Sequence, residues 1–191
     1  RERLGANPIA VQIPVGSEAD FSGAVDLFKM QAIIWKDEQG ADPEITEIPA
    51  DLLSAAEAAR EQMIEAIAEL DDDLTLKYLE GEEITEEELK AVLRQATLDN
   101  QATAVYCGSY LKNKGVQPVI DAVVEFLPSP LDIPAVKGIH PKTDETIERG
   151  PDPEEPMSAL VFKIVTDPYV GRLAYFRVYS GKISSNSAVF N

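Results

Sequence analysis

The groups with the clearest chemical potential lie between Cys107 and Gln117, in the run CGSYLKNKGVQ. Residues 101–107 are apolar and β-prone, and residues 108–115 make a polar, glycine-containing loop. Val116, Ile120, Val123, Val124 and Leu127 then return at helical spacing. The expected unit is strand, loop, helix. In a parallel α/β sheet, the loop leaving a strand's carboxyl end turns its backbone N–H groups toward a ligand. Ser109, Tyr110 and Leu111 are therefore the candidates for gripping a base or phosphate edge. An ordinary βα connection has the same outline, so these residues by themselves leave both readings open.

The second cluster is electrostatic. Leu52, Ala56, Ala59, Met63, Ile67 and Leu70 recur at spacings of three and four, which predicts a helix over residues 49–70 with one apolar stripe. At about 100° per residue, Glu57, Glu61, Glu65 and Glu69 fall on the opposite side. Like charges four residues apart repel by about a few tenths of a kcal/mol each, so the face is either solvated surface or a docking face for a basic partner. Residues 37–99 hold 20 acidic and 4 basic residues, a net of −16, which leaves −1 for the rest of a chain whose total is −17. Such a charge repels phosphate backbones and argues against a general binder of DNA, of other nucleic acid or of anionic membranes.

Other reactive residue types lack companions. Cys107 is the only cysteine, which excludes a disulfide framework and a zinc site of paired thiolates, and it fits an inert core thiol in a reducing cytosol. His140 has no second His, Cys or carboxylate at ligand spacing and reads as a surface residue. Asp71, Asp72 and Asp73 lack the calcium-loop pattern and read as a helix boundary. No catalytic or metal-ligating residue is expected. No apolar run approaches the roughly 20 residues of a membrane helix, and Arg1 opens the chain without a signal pattern, so a piece of a longer cytoplasmic protein is expected.

The elements that must position these groups follow from the pattern. Residues 8–14 read as a strand, and residues 21–35 as extended structure pairing with residues 44–48 across a DEQG turn. A second helix spans residues 73–80 and stops at Gly81. A third starts at the capping box of Thr85 and Glu88 and runs to about Leu98. Residues 128–156 contain seven prolines, which suits a linker with at most short edge strands and marks a domain boundary. From Ser158 the runs ALVFKIV, RLAYFRVY and the terminal SAVFN predict an all-β meander carrying four basic residues against one acid. Arg172, Arg177 and Lys182 are among them.

The strings CGSYLKNKGVQ and LPSP, together with RERLGANP, AVQIPVG, FSGAVDLFKM, LKYLEGEEITEEEL, LPSPLDIPAVKG and FKIVTDPYVGRLAYFRVYSG, resemble the bacterial elongation factor G family of translational GTPases from Arg1 to Asn191. The release factors of the ribosome-recycling GTPase type and the tetracycline ribosomal protection proteins share a weaker version. The resemblance implies an α/β fold, the C-terminal part of a P-loop GTPase domain with an α+β insertion, followed by part of an all-β barrel domain. It allots residues 1–5 and 101–128 to the GTPase domain, 6–100 to the insertion called G′, 129–157 to a linker with the first strands of domain II, and 158–191 to the truncated barrel.

The same resemblance implies roles. A backbone N–H of the loop Ser109, Tyr110, Leu111 reads the guanine carbonyl oxygen, and Tyr110 stands where the family more often has Ala, which brings a ring beside the guanine pocket. Glu57, Glu61 and Glu65 become contacts for the ribosomal stalk protein, and Arg172, Arg177 and Lys182 possible contacts for ribosomal RNA. The whole protein would use GTP, GDP and magnesium to drive translocation on the ribosome. This chain has no G-x-x-x-x-G-K-[ST] loop, no switch segment and no N-K-x-D, so no nucleotide is expected to stay bound to it and no hydrolysis to occur on it. Asn113, Lys114, Gly115 and Val116 start like N-K-x-D but lack its Asp, and read as turn residues. The alternative is a free-standing acidic adaptor with no nucleotide chemistry.

Overall fold

The computed structural model describes residues 5–37, 39–140 and 143–189. Residues 1–4, expected to belong with the loop-bearing unit, and Glu38 of the DEQG turn lie outside them. The chain divides into two units, Arg1–Leu127 and Pro128–Asn191.

In the first unit the run expected as one strand serves two sheets. It forms β1 (Pro8–Ala10) and β2 (Gln12–Val15), with Val11 at the switch. Val11 donates its N–H to the Val105 carbonyl and accepts from the Leu27 N–H, both at 3.1 Å. Residues 21–35 likewise split, into β3 (Gly23–Asp26) and β4 (Gln31–Trp35). The Asp26 carboxylate accepts from the N–H groups of Phe28 at 2.8 Å and Lys29 at 3.2 Å, which folds the turn between them. β4 pairs with β5 (Pro43–Thr46) in antiparallel register, giving one four-stranded sheet in the order β2, β3, β4, β5.

Three helices follow. α1 (Leu53–Ala68) is shorter than expected because residues 49–52 form a turn, and it buries Ala56, Met63, Ile67 and Ala68. α2 (Asp72–Glu80) starts where Asp71 accepts from the Leu74 N–H at 2.9 Å, and stops at Gly81, whose φ of 72° suits a residue without a Cβ. α3 (Glu86–Leu98) opens on the reciprocal capping box of Thr85 and Glu88. β6 (Thr103–Val105) then pairs in parallel with β1, and α4 (Val116–Phe126) leaves the loop after it. Leu27, Met63, Ile67, Leu89 and Leu93 are fully buried together, with Phe28 stacked on Phe126 at 6.5 Å between ring centres. Arg60 reaches from α1 to the carbonyls of Leu27 and Phe28, tying the helix to the β3–β4 turn.

The second unit holds two antiparallel hairpins. β7 (Val136–Ile139) pairs with β8 (Thr146–Arg149), both short as the proline density requires, and β9 (Ser158–Asp167) pairs with β10 (Gly171–Ser180). The meander is thus a hairpin. Its expected last strand is absent among the described residues of SAVFN, where Ser187 donates to the Ser184 carbonyl at 3.2 Å and makes a turn instead. Phe190 and Asn191 lie outside the described residues. Ser180 is the one buried side chain among the described residues of this unit, bonded to Ser158 and to the Pro156 carbonyl. Val161, Ile164, Phe176 and Val178 are all exposed.

Candidate functional site

The strand, loop and helix form in the expected order, but the strand is shorter than the expected 101–107, so residues 106–115 bridge β6 and α4. Ser109 and Lys114 exchange both backbone bonds, Ser109 N–H to Lys114 carbonyl at 2.9 Å and the reverse at 3.1 Å, so the loop closes on itself at its base. Lys112 and Asn113 donate their N–H groups inward, to the carbonyls of Ser109 and Tyr110. The N–H groups of Tyr110 and Leu111 take no partner among the described residues, and Leu111 is fully exposed. Of the three candidates, Ser109 has spent its N–H on the loop, and Tyr110 and Leu111 keep theirs at the apex.

Two glycines make the closure possible. Gly115 has φ +87°, and a Cβ there would stand 2.9 Å from both the Cys107 carbonyl oxygen and the Gly108 Cα. A Cβ on Gly108 would meet the Lys114 carbonyl at 2.9 Å and the tip of the Tyr110 ring at 3.2 Å. The Tyr110 ring therefore folds back over Gly108. Beside the loop, the Cys107 thiol sits 3.9 Å from the Gln12 amide oxygen, and burial pushes its pKa up to about 11. It stays a neutral thiol at physiological pH, but it is half-buried and lies past the end of β6, not in the core strand expected for it.

Two of the residues read as turn formers, Asn113 and Lys114, do more than turn, as do their neighbours Lys112 and Gln117. Asn113 has φ 54°, in the left-handed region, and its side-chain amide donates to the Gln39 carbonyl at 2.9 Å. Lys112 and Lys114 donate to the carbonyls of Ala19 and Trp35 at 3.0 and 3.1 Å, and Gln117 donates to that of Gly40 at 3.0 Å. Sequence spacing gave no sign of these partners, which lie 74 to 93 residues earlier.

Glu57, Glu61 and Glu65 on α1, and Glu69 at its C-cap, are all exposed, opposite the buried stripe. Arg60 is the one cation of that helix, and it is engaged with the β3–β4 turn. No described cation pairs with these four carboxylates. In the second unit Arg172, Arg177 and Lys182 are exposed, and Lys182 is paired with Glu154. Arg177 and Arg149 line a 370 Å³ groove with Pro134, Pro151 and Tyr179. His140 accepts at Nδ1 from the Thr143 N–H at 3.2 Å, a turn contact. Among the described residues no group of three or more His, Cys, Asp or Glu converges on a metal-sized site, and no helix is long and apolar enough to cross a membrane.

The chain is similar over 189 residues, 99% of its length, to elongation factor G of Thermotoga neapolitana and of Thermotoga maritima, each at 55% identity, and to that of Thermotoga petrophila at 54%. It spans 27% of the length of these curated relatives. A crystal structure of a Thermus thermophilus protein superposes on 91% of this chain and 23% of its own, with a TM-score of 0.69 and 27% identity. No protein-family model matches.

Proposed function

We propose that this chain is the segment of an elongation factor G that closes the GTPase domain, carries the G′ insertion and begins the second, β-barrel domain. Residues 1–5 and 101–128 belong to the first, 6–100 to the insertion, 129–157 to the linker and first strands of domain II, and 158–191 to the barrel. The observation that carries the reading is 55% identity along 99% of the chain. Exposed apolar surface supports it. On α4, Ile120 is 58% and Val124 80% exposed, and β6 has a strand partner on one side alone, β1 from the start of the insertion, whereas parallel sheets are normally wider and covered on both faces. A larger GTPase sheet supplies that cover.

Within such a protein the Tyr110 and Leu111 N–H groups read the guanine carbonyl oxygen. Their free donors at an exposed apex fit that task. The phosphates and magnesium have no holder among the motifs of this chain, so they belong to segments that carry the phosphate loop and switches. When bound, GTP supplies the phosphoanhydride bond whose hydrolysis drives tRNA and mRNA translocation on the cytoplasmic ribosome. The residues of this chain orient the base and dock the ribosome. Glu57, Glu61 and Glu65 face the stalk protein, and Arg172 and Arg177 face ribosomal RNA. Lys182 joins them less readily, since it must first leave Glu154.

The test is calorimetry with GDP and GTP on two proteins. One is this chain, and the other is a Thermotoga maritima elongation factor G whose matching segment is replaced by it. One or two base-edge hydrogen bonds contribute about 1 kcal/mol each, against roughly 8 kcal/mol for micromolar affinity. The chain alone should therefore bind no tighter than about 10 µM, while the hybrid binds GDP. Tight binding by the chain alone, or none by the hybrid, contradicts the reading.

A further inference from the structure

We propose that Lys112, Asn113, Lys114 and Gln117 are positioning residues that lock the nucleotide loop onto the insertion, so that the insertion sets where the Tyr110 and Leu111 N–H groups stand. The proposal rests on the reading of that loop as a guanine contact.

Four polar side chains of one short stretch reach four main-chain carbonyls of the insertion: Ala19, Gln39, Trp35 and Gly40. The choice of acceptor is informative. Residues 37–99 carry 20 carboxylates, yet Lys112 and Lys114 donate to backbone. A carboxylate on a flexible stem follows its partner, whereas a carbonyl at a strand end or in a closed turn fixes it. The Lys114 acceptor ends β4, and the turn that follows is closed by the Asp37 carboxylate, which accepts from the N–H groups of Ala41 at 3.1 Å and Asp42 at 3.4 Å. Main chain also packs on main chain, since a Cβ on Gly40 would stand 2.3 Å from the Asn113 carbonyl oxygen.

The geometry passes from this seat to the apex in one step. Lys114 bonds Ser109 through both backbone groups, and Lys112 and Asn113 bond back to Ser109 and Tyr110. Pinning Lys112, Asn113 and Lys114 therefore fixes both ends of the arc that carries the two free N–H groups. A donor held in place before its ligand arrives loses less freedom on binding, which raises affinity without any new contact.

The experiment uses the Thermotoga hybrid and two ligands, GDP and 2-aminopurine riboside diphosphate, which lacks the guanine carbonyl oxygen. The double variant Asn113→Ala with Lys114→Met should bind GDP about fivefold more weakly, the value of one base-edge hydrogen bond, and bind the analogue unchanged. Lys114→Arg, which keeps a donor, should restore most of the loss. Equal weakening for both ligands would mean general destabilisation and would overturn the proposal, as would no change for either. Leu111→Pro, which deletes an apex N–H, tests the underlying reading separately. If it spares GDP affinity, the loop does not read guanine. If it weakens GDP while the double variant does not, the reading stands and the lock is refuted. A second measurement needs no nucleotide: in the 191-residue chain, the double variant should shift the Tyr110 and Leu111 amide resonances and abolish the contact of the Tyr110 ring with Gly108. Unchanged signals would refute the lock.

Discussion

Lys90 on α3 and Glu125 on α4 form an ion pair at 2.6 Å that fastens α3 to the helix after the loop. Lys90 also pairs with Glu86 at 2.9 Å and lies 5.4 Å above the Phe28 ring, while Arg94 donates to the Glu125 carbonyl at 2.6 Å. Burial pulls the Lys90 ammonium down, but its hydrogen bonds to Glu125 and Glu86 outweigh this and raise its pKa.

Lys90→Met should therefore lower the stability of the first unit by about 1 kcal/mol, the worth of a partly exposed pair plus a cation over a ring. Urea unfolding followed by Trp35 fluorescence reads it. An unchanged midpoint would mean that solvent screening cancels the pair.

Glu88 gives a pH signature. Its bond from Lys77, and then the Thr85 N–H, hold its carboxyl at about 2 against an ordinary 4.5. The folded value lies below the unfolded one, so this contribution is complete above about pH 4.5 and is lost as pH falls toward 2. Glu88→Gln should flatten the fall of the urea midpoint across that window. A slope identical to wild type would show that the carboxylate does not act in the cap.

The sequence made some of this legible and hid the rest, for separable reasons. Gly81 and the Thr85–Glu88 box are local chemistry, complete within four residues, and the structure places helix ends at them. The β3–β4 turn escaped because it rests on the Asp26 side chain and on Met30 at φ 52°, with no Gly or Pro to announce it. Asn113 and Lys114 read as turn formers since their partners Gln39 and Trp35 are remote in sequence and are main-chain atoms, which carry no residue signal. The third strand failed because a β-prone run needs a neighbour, and residues 187–189 have a turn before them instead.

The acidic face of α1 should steer a basic partner. Reversing Glu57, Glu61 and Glu65 to Lys in the hybrid should slow association with the globular domain of the ribosomal stalk protein and remove its salt dependence, with a smaller effect on dissociation. Stopped-flow rates at low and high salt compare the two proteins. Equal rates throughout would assign the face to solvation.

The β9–β10 hairpin exposes Val161, Ile164, Phe176 and Val178 and has open edges. In this chain its amides should exchange at nearly the unprotected rate in a monomer, or slowly in a dimer joined by an edge. Hydrogen exchange with light scattering separates the two. Slow exchange in a strict monomer would show that two strands suffice.

The most direct measurement is ribosome-stimulated GTP hydrolysis by the Thermotoga maritima elongation factor G carrying this chain in place of its own 55% identical segment. If the chain is that segment, the hybrid should respond to ribosomes within about tenfold of the parent, a difference of about 1.4 kcal/mol in the barrier. A folded hybrid that binds GDP but shows no ribosomal stimulation would contradict it.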